Sequence, residues 1–119
     1  MTPQELKNRS RAFAYDIVRL TRPMLRDLDT RDVARQLLRS GTSAACNYRS
    51  ISGSRSRAEF GSKIAVVLEE ADESLFWLEL IRDCQIAYGP ELNRLVQEAG
   101  ELVAIFGKSL DTMRSNRSK

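Results

Sequence analysis

The stretch SRAEFGSKIAVVLEEADESLFWLELIRDCQI, residues 56–86, decides the fold. Ser56 followed three positions later by Glu59 is a capping box, a pairing that gives the first backbone N–H groups of a helix side-chain partners. From there Phe60, Ile64, Val67, Leu68, Ala71, Leu75 and Leu78 recur every three or four positions, the period of a helix and not of a strand. A run of about 30 residues at 1.5 Å each predicts a rod of roughly 45 Å, ending near Ile86. A second apolar set, Val66, Phe76, Trp77 and Leu80, lies on the opposite side, interleaved with Glu69 and Glu73. A helix apolar on two faces has to bury both, and a four-helix monomer covers only one of them fully. Self-association is therefore expected through Val66, Glu69, Glu73, Phe76, Trp77 and Leu80, with Trp77 as an interface anchor.

Upstream, Ser52, Gly53, Ser54 and Arg55 form a short polar turn. Before it, Thr30 can cap a helix from about Arg31 to Ile51, with Asp32 in its positive first turn. At about 100° per residue, Val33, Leu37, Gly41, Ala44, Tyr48 and Ile51 share a core stripe, and Arg31, Arg35, Arg39 and Arg49 fall almost opposite as a basic stripe. Gly41 allows close helix packing. The first helix opens on Thr2, Pro3 and Glu5, carries Leu6, Phe13, Ile17 and Leu20 inward, and is expected to end near Thr21 or Arg22, because Pro23 disfavours helix in the residue before it. Gly89 and Pro90 punctuate before a last helix, about Pro90 to Met113, with Leu92, Leu95, Val96, Ala99, Leu102, Val103, Phe106 and Leu110 on one side. The tail over 115–119 is polar and expected to fray. The fold class that follows is all-α, an antiparallel up-and-down four-helix bundle forming a single domain over residues 1–119.

Composition bounds the chemistry. A chain of 119 residues and 13.5 kDa, 42% hydrophobic and 29% charged, has the size and balance of one globular domain. No apolar run is long enough to span a bilayer and the amino end lacks the apolar stretch of a signal peptide, so no membrane is expected and the protein reads as cytoplasmic. There is no His, which removes the commonest general base and the commonest metal ligand. Glu69, Glu70, Asp72, Glu73 and Glu79 invite a carboxylate-bridged metal, but such bundle sites use Glu-x-x-His, so no metal is expected. Cys46 and Cys84 have no partner motif and are expected to be buried small hydrophobes. There is no Walker loop and no nucleophile elbow around Ser40, Gly41, Thr42 and Ser43. No enzyme and no cofactor are expected.

Charge is uneven. Residues 1–60 carry 12 Lys and Arg against 6 Asp and Glu, a balance of +6, and residues 61–119 carry 7 against 10, or −3, which sum to the +3 of the chain. Of the 19 basic residues 15 are Arg, whose planar fork suits carboxylate or phosphate. The stripe of Arg31, Arg35, Arg39 and Arg49 can bind nucleic-acid phosphates, pair with Glu69 and Glu73 of a neighbouring subunit, or stand solvated. Arg55 and Arg57 flank a Gly-Ser turn at a helix start, where free N–H groups favour an anion, and a solvated turn is the competing reading.

Residues 39–81, RSGTSAACNYRSISGSRSRAEFGSKIAVVLEEADESLFWLELI, resemble the four-helix-bundle proteins of the 23S rRNA intervening-sequence family. The likeness lies in the Arg-Ser-Gly-Thr-Ser opening, an Asn four residues beyond Ser43, the basic turn, the Glu-Phe pair, and the acids and apolar residues Glu70, Ala71, Asp72, Glu73, Trp77 and Leu78. Where the family usually has a Glu and a small residue after the Asn segment, this chain has Ser50 and Ile51. The resemblance implies a compact bundle assembling into a ring of five. A related bundle, the accessory variability factor of diversity-generating retroelements, forms a similar basic ring that binds nucleic acid, which implies RNA or DNA as a partner here.

Two readings follow. The first is a non-catalytic homo-oligomeric bundle that binds RNA or other nucleic acid through Arg31, Arg35, Arg39, Arg49, Arg55 and Arg57. The other is a structural adaptor ring that binds a protein and uses the Arg stripe between subunits.

Overall fold

Thr2 Oγ1 accepts the Glu5 N–H at 3.1 Å while the Glu5 carboxylate accepts the Thr2 N–H at 3.1 Å. This complete capping box opens α1 (Pro3–Met24) in the computed structural model, which describes residues 1–117. The helix passes the expected stop and holds Pro23 in its last turn. So near the end a proline forfeits only the bond its own N–H would have made. The Leu25 N–H still reaches the Thr21 carbonyl at 3.0 Å, and the buried Thr21 hydroxyl donates to the Ile17 carbonyl at 2.8 Å.

Helix α2 (Arg31–Arg49) begins where expected, but Thr30 does not cap it. Its backbone is already helical, at φ −115° and ψ −14°, and its hydroxyl donates to the Met24 carbonyl at 2.7 Å, which ties the α1–α2 turn shut. The α-helix stops at Arg49 and a 3₁₀ turn, Ser50–Gly53, continues it, keeping Ile51 buried as expected. Helix α3 (Arg57–Asp83) starts on Ser56, whose Oγ accepts the Glu59 N–H at 3.1 Å. It ends short of Ile86 because Gln85 turns left-handed at φ 58°, so that the Ile86 N–H reaches the Ile81 carbonyl at 2.9 Å and the Gln85 N–H the Arg82 carbonyl at 3.1 Å. That pair of bonds satisfies carbonyls the helix end would otherwise orphan. Helix α4 (Pro90–Arg117) runs past the expected Met113 and takes in residues 115–117 of the tail. Residues 118–119 lie outside the described residues.

Successive helices pack side by side as an antiparallel bundle about 50 Å long. The apolar stripes of all four helices meet in one core, with Ile17, Leu37, Ile64, Leu78, Leu95 and Phe106 at its centre. Gly41 is buried where α2 crosses α1, and a Cβ there would stand 3.2 Å from the Ile17 side chain, a contact so tight that Ile17 would have to yield by a few tenths of an ångström. Ser40 and Ser74 are fully buried between α2 and α3, their hydroxyl oxygens 2.9 Å apart.

Contact between α1 and α4 is the lightest of the helix seams, and charge closes it. Arg9 reaches Glu98 and Glu101, and Arg94 bridges Asp16 and Glu91. The hydrogen bonds to these carboxylates raise both guanidinium pKa values above their ordinary range.

Both cysteines are exposed, contrary to expectation. Cys46 lies on the outward side of α2 between Thr42 and Arg49, and Cys84 is the residue on which α3 ends. Among the described residues no helix is long and apolar enough to cross a membrane, and no three Asp, Glu or Cys side chains converge as a metal cage requires.

Candidate nucleic-acid interface

The helical period does place Arg31, Arg35, Arg39 and Arg49 outward on α2, and all four are exposed. They are not one continuous band. Arg39 and Arg49 stand ten residues, or roughly 15 Å, apart along the axis, and Thr42 and Cys46 fill the gap. The upper part of the stripe is also neutralised. Arg35 lies 3.6 Å from Asp32, one turn away, and Arg39 crosses to α3, where it pairs with Glu73 and lies 3.1 Å from Glu70. The Glu73 hydrogen bond, more than any other interaction, raises the Arg39 pKa. Arg31 and Arg49 make no ion pair among the described residues.

The turn between α2 and α3 carries its own anion. The Glu59 carboxylate accepts the Arg55 N–H at 3.1 Å and lies 3.3 Å from Lys63 Nζ, and these contacts hold the Glu59 carboxyl below the usual carboxylate range. Glu59 therefore fills the position at the helix start that a phosphate would take. The Arg55 and Arg57 side chains remain exposed and without an ion pair among the described residues.

Topology brings further cations to this end. The start of α1, the end of α2, the 3₁₀ turn, the start of α3 and the end of α4 all lie there, so Lys7, Lys63 and Lys108 join Arg49, Arg55 and Arg57. The acids nearby are Glu5, Glu59 and Asp111. Lys63 Nζ donates to the Ser50 carbonyl at 3.1 Å, which ties α3 to the 3₁₀ turn. No single-helix pattern points to Lys7 and Lys108. Their signal in the sequence is the up-and-down topology itself, which decides which termini meet.

The other predicted set lies together. Val66, Glu69, Glu73, Phe76, Trp77 and Leu80 share one side of α3, away from the buried Ile64, Val67, Ala71 and Leu78. Phe76 is 55% exposed and Val66 41% exposed, while Trp77 and Leu80 are half-buried. Phe76 and Trp77 meet edge to face, ring centres 5.0 Å apart. The Trp77 indole N–H donates to Glu73 at 3.2 Å. Glu73 is thus occupied within its own chain by Arg39 and Trp77, while Glu69 is exposed and has no ion pair among the described residues.

A family model described as 23S rRNA-intervening sequence protein matches residues 3–108. Among solved structures, this chain is similar to a protein of unknown function from the S23 ribosomal protein family of Bacteroides thetaiotaomicron. The two share 28% identity with a TM-score of 0.84, over 93% of this chain and 99% of that one. No curated protein matches.

Proposed function

The chain belongs to the 23S rRNA-intervening sequence protein family, and from that premise we propose that it is a non-catalytic homo-oligomer that binds RNA through the cations at one end of its bundle. The observation that carries this reading is the convergence of Arg49, Arg55 and Arg57, none of them ion-paired among the described residues, with Lys7, Lys63 and Lys108. Arg35 and Arg39 contribute less, because Asp32, Glu70 and Glu73 offset their charge, and Arg31, at the start of α2, stands at the other end of the bundle. Assembly uses the outward side of α3, where an exposed Phe76 and Val66 would otherwise keep apolar area in water. The family resemblance points to a ring of five, and repetition around a ring would let weak phosphate contacts add.

The adaptor reading draws on the same α3 face but needs the Arg stripe between subunits. Arg35 and Arg39 already hold carboxylates of their own chain, which leaves Arg31 and Arg49 for that task.

Fluorescence anisotropy with labelled single-stranded RNA tests the proposal. Changing Arg49, Arg55 and Arg57 together to Glu is expected to abolish binding with the oligomer intact, whereas changing Arg31 and Arg35 to Glu costs far less. The logarithm of affinity should fall by about 0.7 per phosphate contacted for each log unit of salt. Undetectable binding by the wild-type protein at low salt overturns the reading, as does equal binding by the triple variant.

A further inference from the structure

The basic end of the bundle also holds a wide opening between the helices. A cavity of about 740 Å³ lies between the start of α1, the end of α2, the 3₁₀ turn and the start of α3, and its apolar wall includes Leu6, Tyr48, Ile51, Phe60 and Ile64. A second opening of about 700 Å³ runs on from it along α4, sharing Met1, Phe60 and Ser109 with the first. Lys7 lines the first, and Arg57 and Lys108 line the second. These three cations make no ion pair among the described residues. Ser54, also in the wall, has a hydroxyl oxygen shut off from solvent without a hydrogen-bond partner among the described residues.

An apolar wall with cations at its edge selects for a ligand of two characters. Inorganic phosphate or an RNA backbone would use the cations and leave the wall in water. A nucleobase would bring edge donors and acceptors against a wall whose exposed surface is mostly apolar, with the hydroxyls of Ser52, Ser54, Ser56 and Ser109 among its few polar groups, and the Tyr48 ring is already engaged by Phe106 at 5.4 Å. An alkyl chain gains from every apolar contact, and a volume of this size is ordinary for a small-molecule pocket.

We propose that this end cavity binds a single-chain anionic amphiphile, a medium-chain fatty carboxylate, with its chain on Leu6, Ile51, Phe60 and Ile64 and its carboxylate among Lys7, Arg57 and Lys108. The proposal does not rest on the RNA reading, in which Leu6, Ile51 and Ile64 have no part.

Calorimetric titration of the full chain with octanoate, decanoate and 1-decanol tests it, at concentrations below micelle formation. Decanoate is expected to bind saturably, one per chain, and more tightly than octanoate by about fourfold for each added methylene. It should also bind at least about tenfold more tightly than 1-decanol, since charge-assisted contacts hold the head. Changing Lys7 and Lys108 together to Gln should cut that preference for the carboxylate to what Arg57 alone supports and leave 1-decanol binding unchanged. Ser109→Trp, placed where the two openings meet, should weaken both ligands, with thermal unfolding as the check on folding. Should that variant not fold, the Lys7 and Lys108 variant decides alone. The proposal is overturned by binding indifferent to chain length, by equal binding of decanoate and 1-decanol, or by the absence of saturable binding. Binding only after the assembly is dissociated also overturns it, because a second copy would then be the occupant, and so does binding only to decanoate-containing vesicles.

Discussion

Arg9 grips Glu98 across the α1–α4 seam through two parallel contacts, Nε to Oε2 at 2.8 Å and Nη2 to Oε1 at 2.6 Å. The pair is largely shielded, with side chains 24% and 19% exposed, so water screens it less than an ordinary surface ion pair. A planar fork on a carboxylate is the geometry in which arginine outperforms lysine. Glu98→Ala is expected to cost about 1.5 kcal/mol, or roughly 6 °C in Tm. Arg9→Lys should cost nearly as much although it keeps the charge. Thermal unfolding of both variants checks this, and a harmless Arg9→Lys would show that charge alone closes the seam.

Gln85 occupies a left-handed conformation that glycine takes without strain, at the position just past the end of α3. Gln85→Gly is therefore expected to stabilise the protein by about 0.5 kcal/mol, since the relief of strain outweighs the added freedom of the unfolded chain. Denaturant unfolding should show a higher midpoint with an unchanged slope. A lower midpoint would mean that the Gln85 side chain contributes contacts the backbone account leaves out.

The four helices were legible because each carries an apolar stripe at helical spacing, and the stripes are what the core buries. All four helix starts were legible, but a side chain capping its own helix accounts only for those at Thr2 and Ser56. Thr30 shows how a start can be placed correctly for the wrong reason: its hydroxyl found the Met24 carbonyl, an acceptor in the preceding turn that no local pattern reveals. Arg39 shows the same for the site. A helical wheel puts it outward, but only the crossing of α2 over α3 shows that Glu70 and Glu73 wait there. Ser40 and Ser74 also escaped the apolar count, because two hydroxyls that bond to each other and to the Leu37 and Glu70 carbonyls can be buried without an orphaned polar group.

Stability should fall in acid and nowhere between pH 5 and pH 8. Glu59, Glu91 and Glu101 are held below the usual carboxylate range, Glu59 chiefly by the Arg55 N–H, Glu91 by Arg94 and Glu101 by Gln97 and Arg9. A carboxylate depressed in the folded state contributes its full stabilisation above its unfolded pKa of about 4.3, and loses it as pH drops through the lower folded value. With no His in the chain, no side chain has an ordinary pKa between pH 5 and pH 8. Tm measured from pH 8 downward should stay level to about pH 5 and then decline, and Glu91→Gln should make the decline shallower. A step in Tm near pH 6 to 7 would contradict this account.

A Phe76 variant tests assembly apart from folding, which a Trp77 variant cannot do. The Phe76 side chain is 55% exposed in the single chain, so replacing it removes little from the monomer's own core. Trp77 is half-buried and its indole N–H is bonded to Glu73, itself held by Arg39, so a Trp77 variant disturbs the α2–α3 contact as well as any interface. If the outward side of α3 is where copies meet, Phe76→Glu puts an unpaired charge into an apolar contact, a change worth about 2 kcal/mol or more at a packed interface. Light scattering should then report a mass near one 13.5 kDa chain at micromolar concentration, against a multiple of it for the wild type. Unfolding of the dissociated variant should still be cooperative, because its four-helix core is untouched. A wild-type mass of one chain, or a Phe76→Glu protein that keeps the wild-type mass, would remove α3 as the assembly face and leave its apolar strip to a different protein.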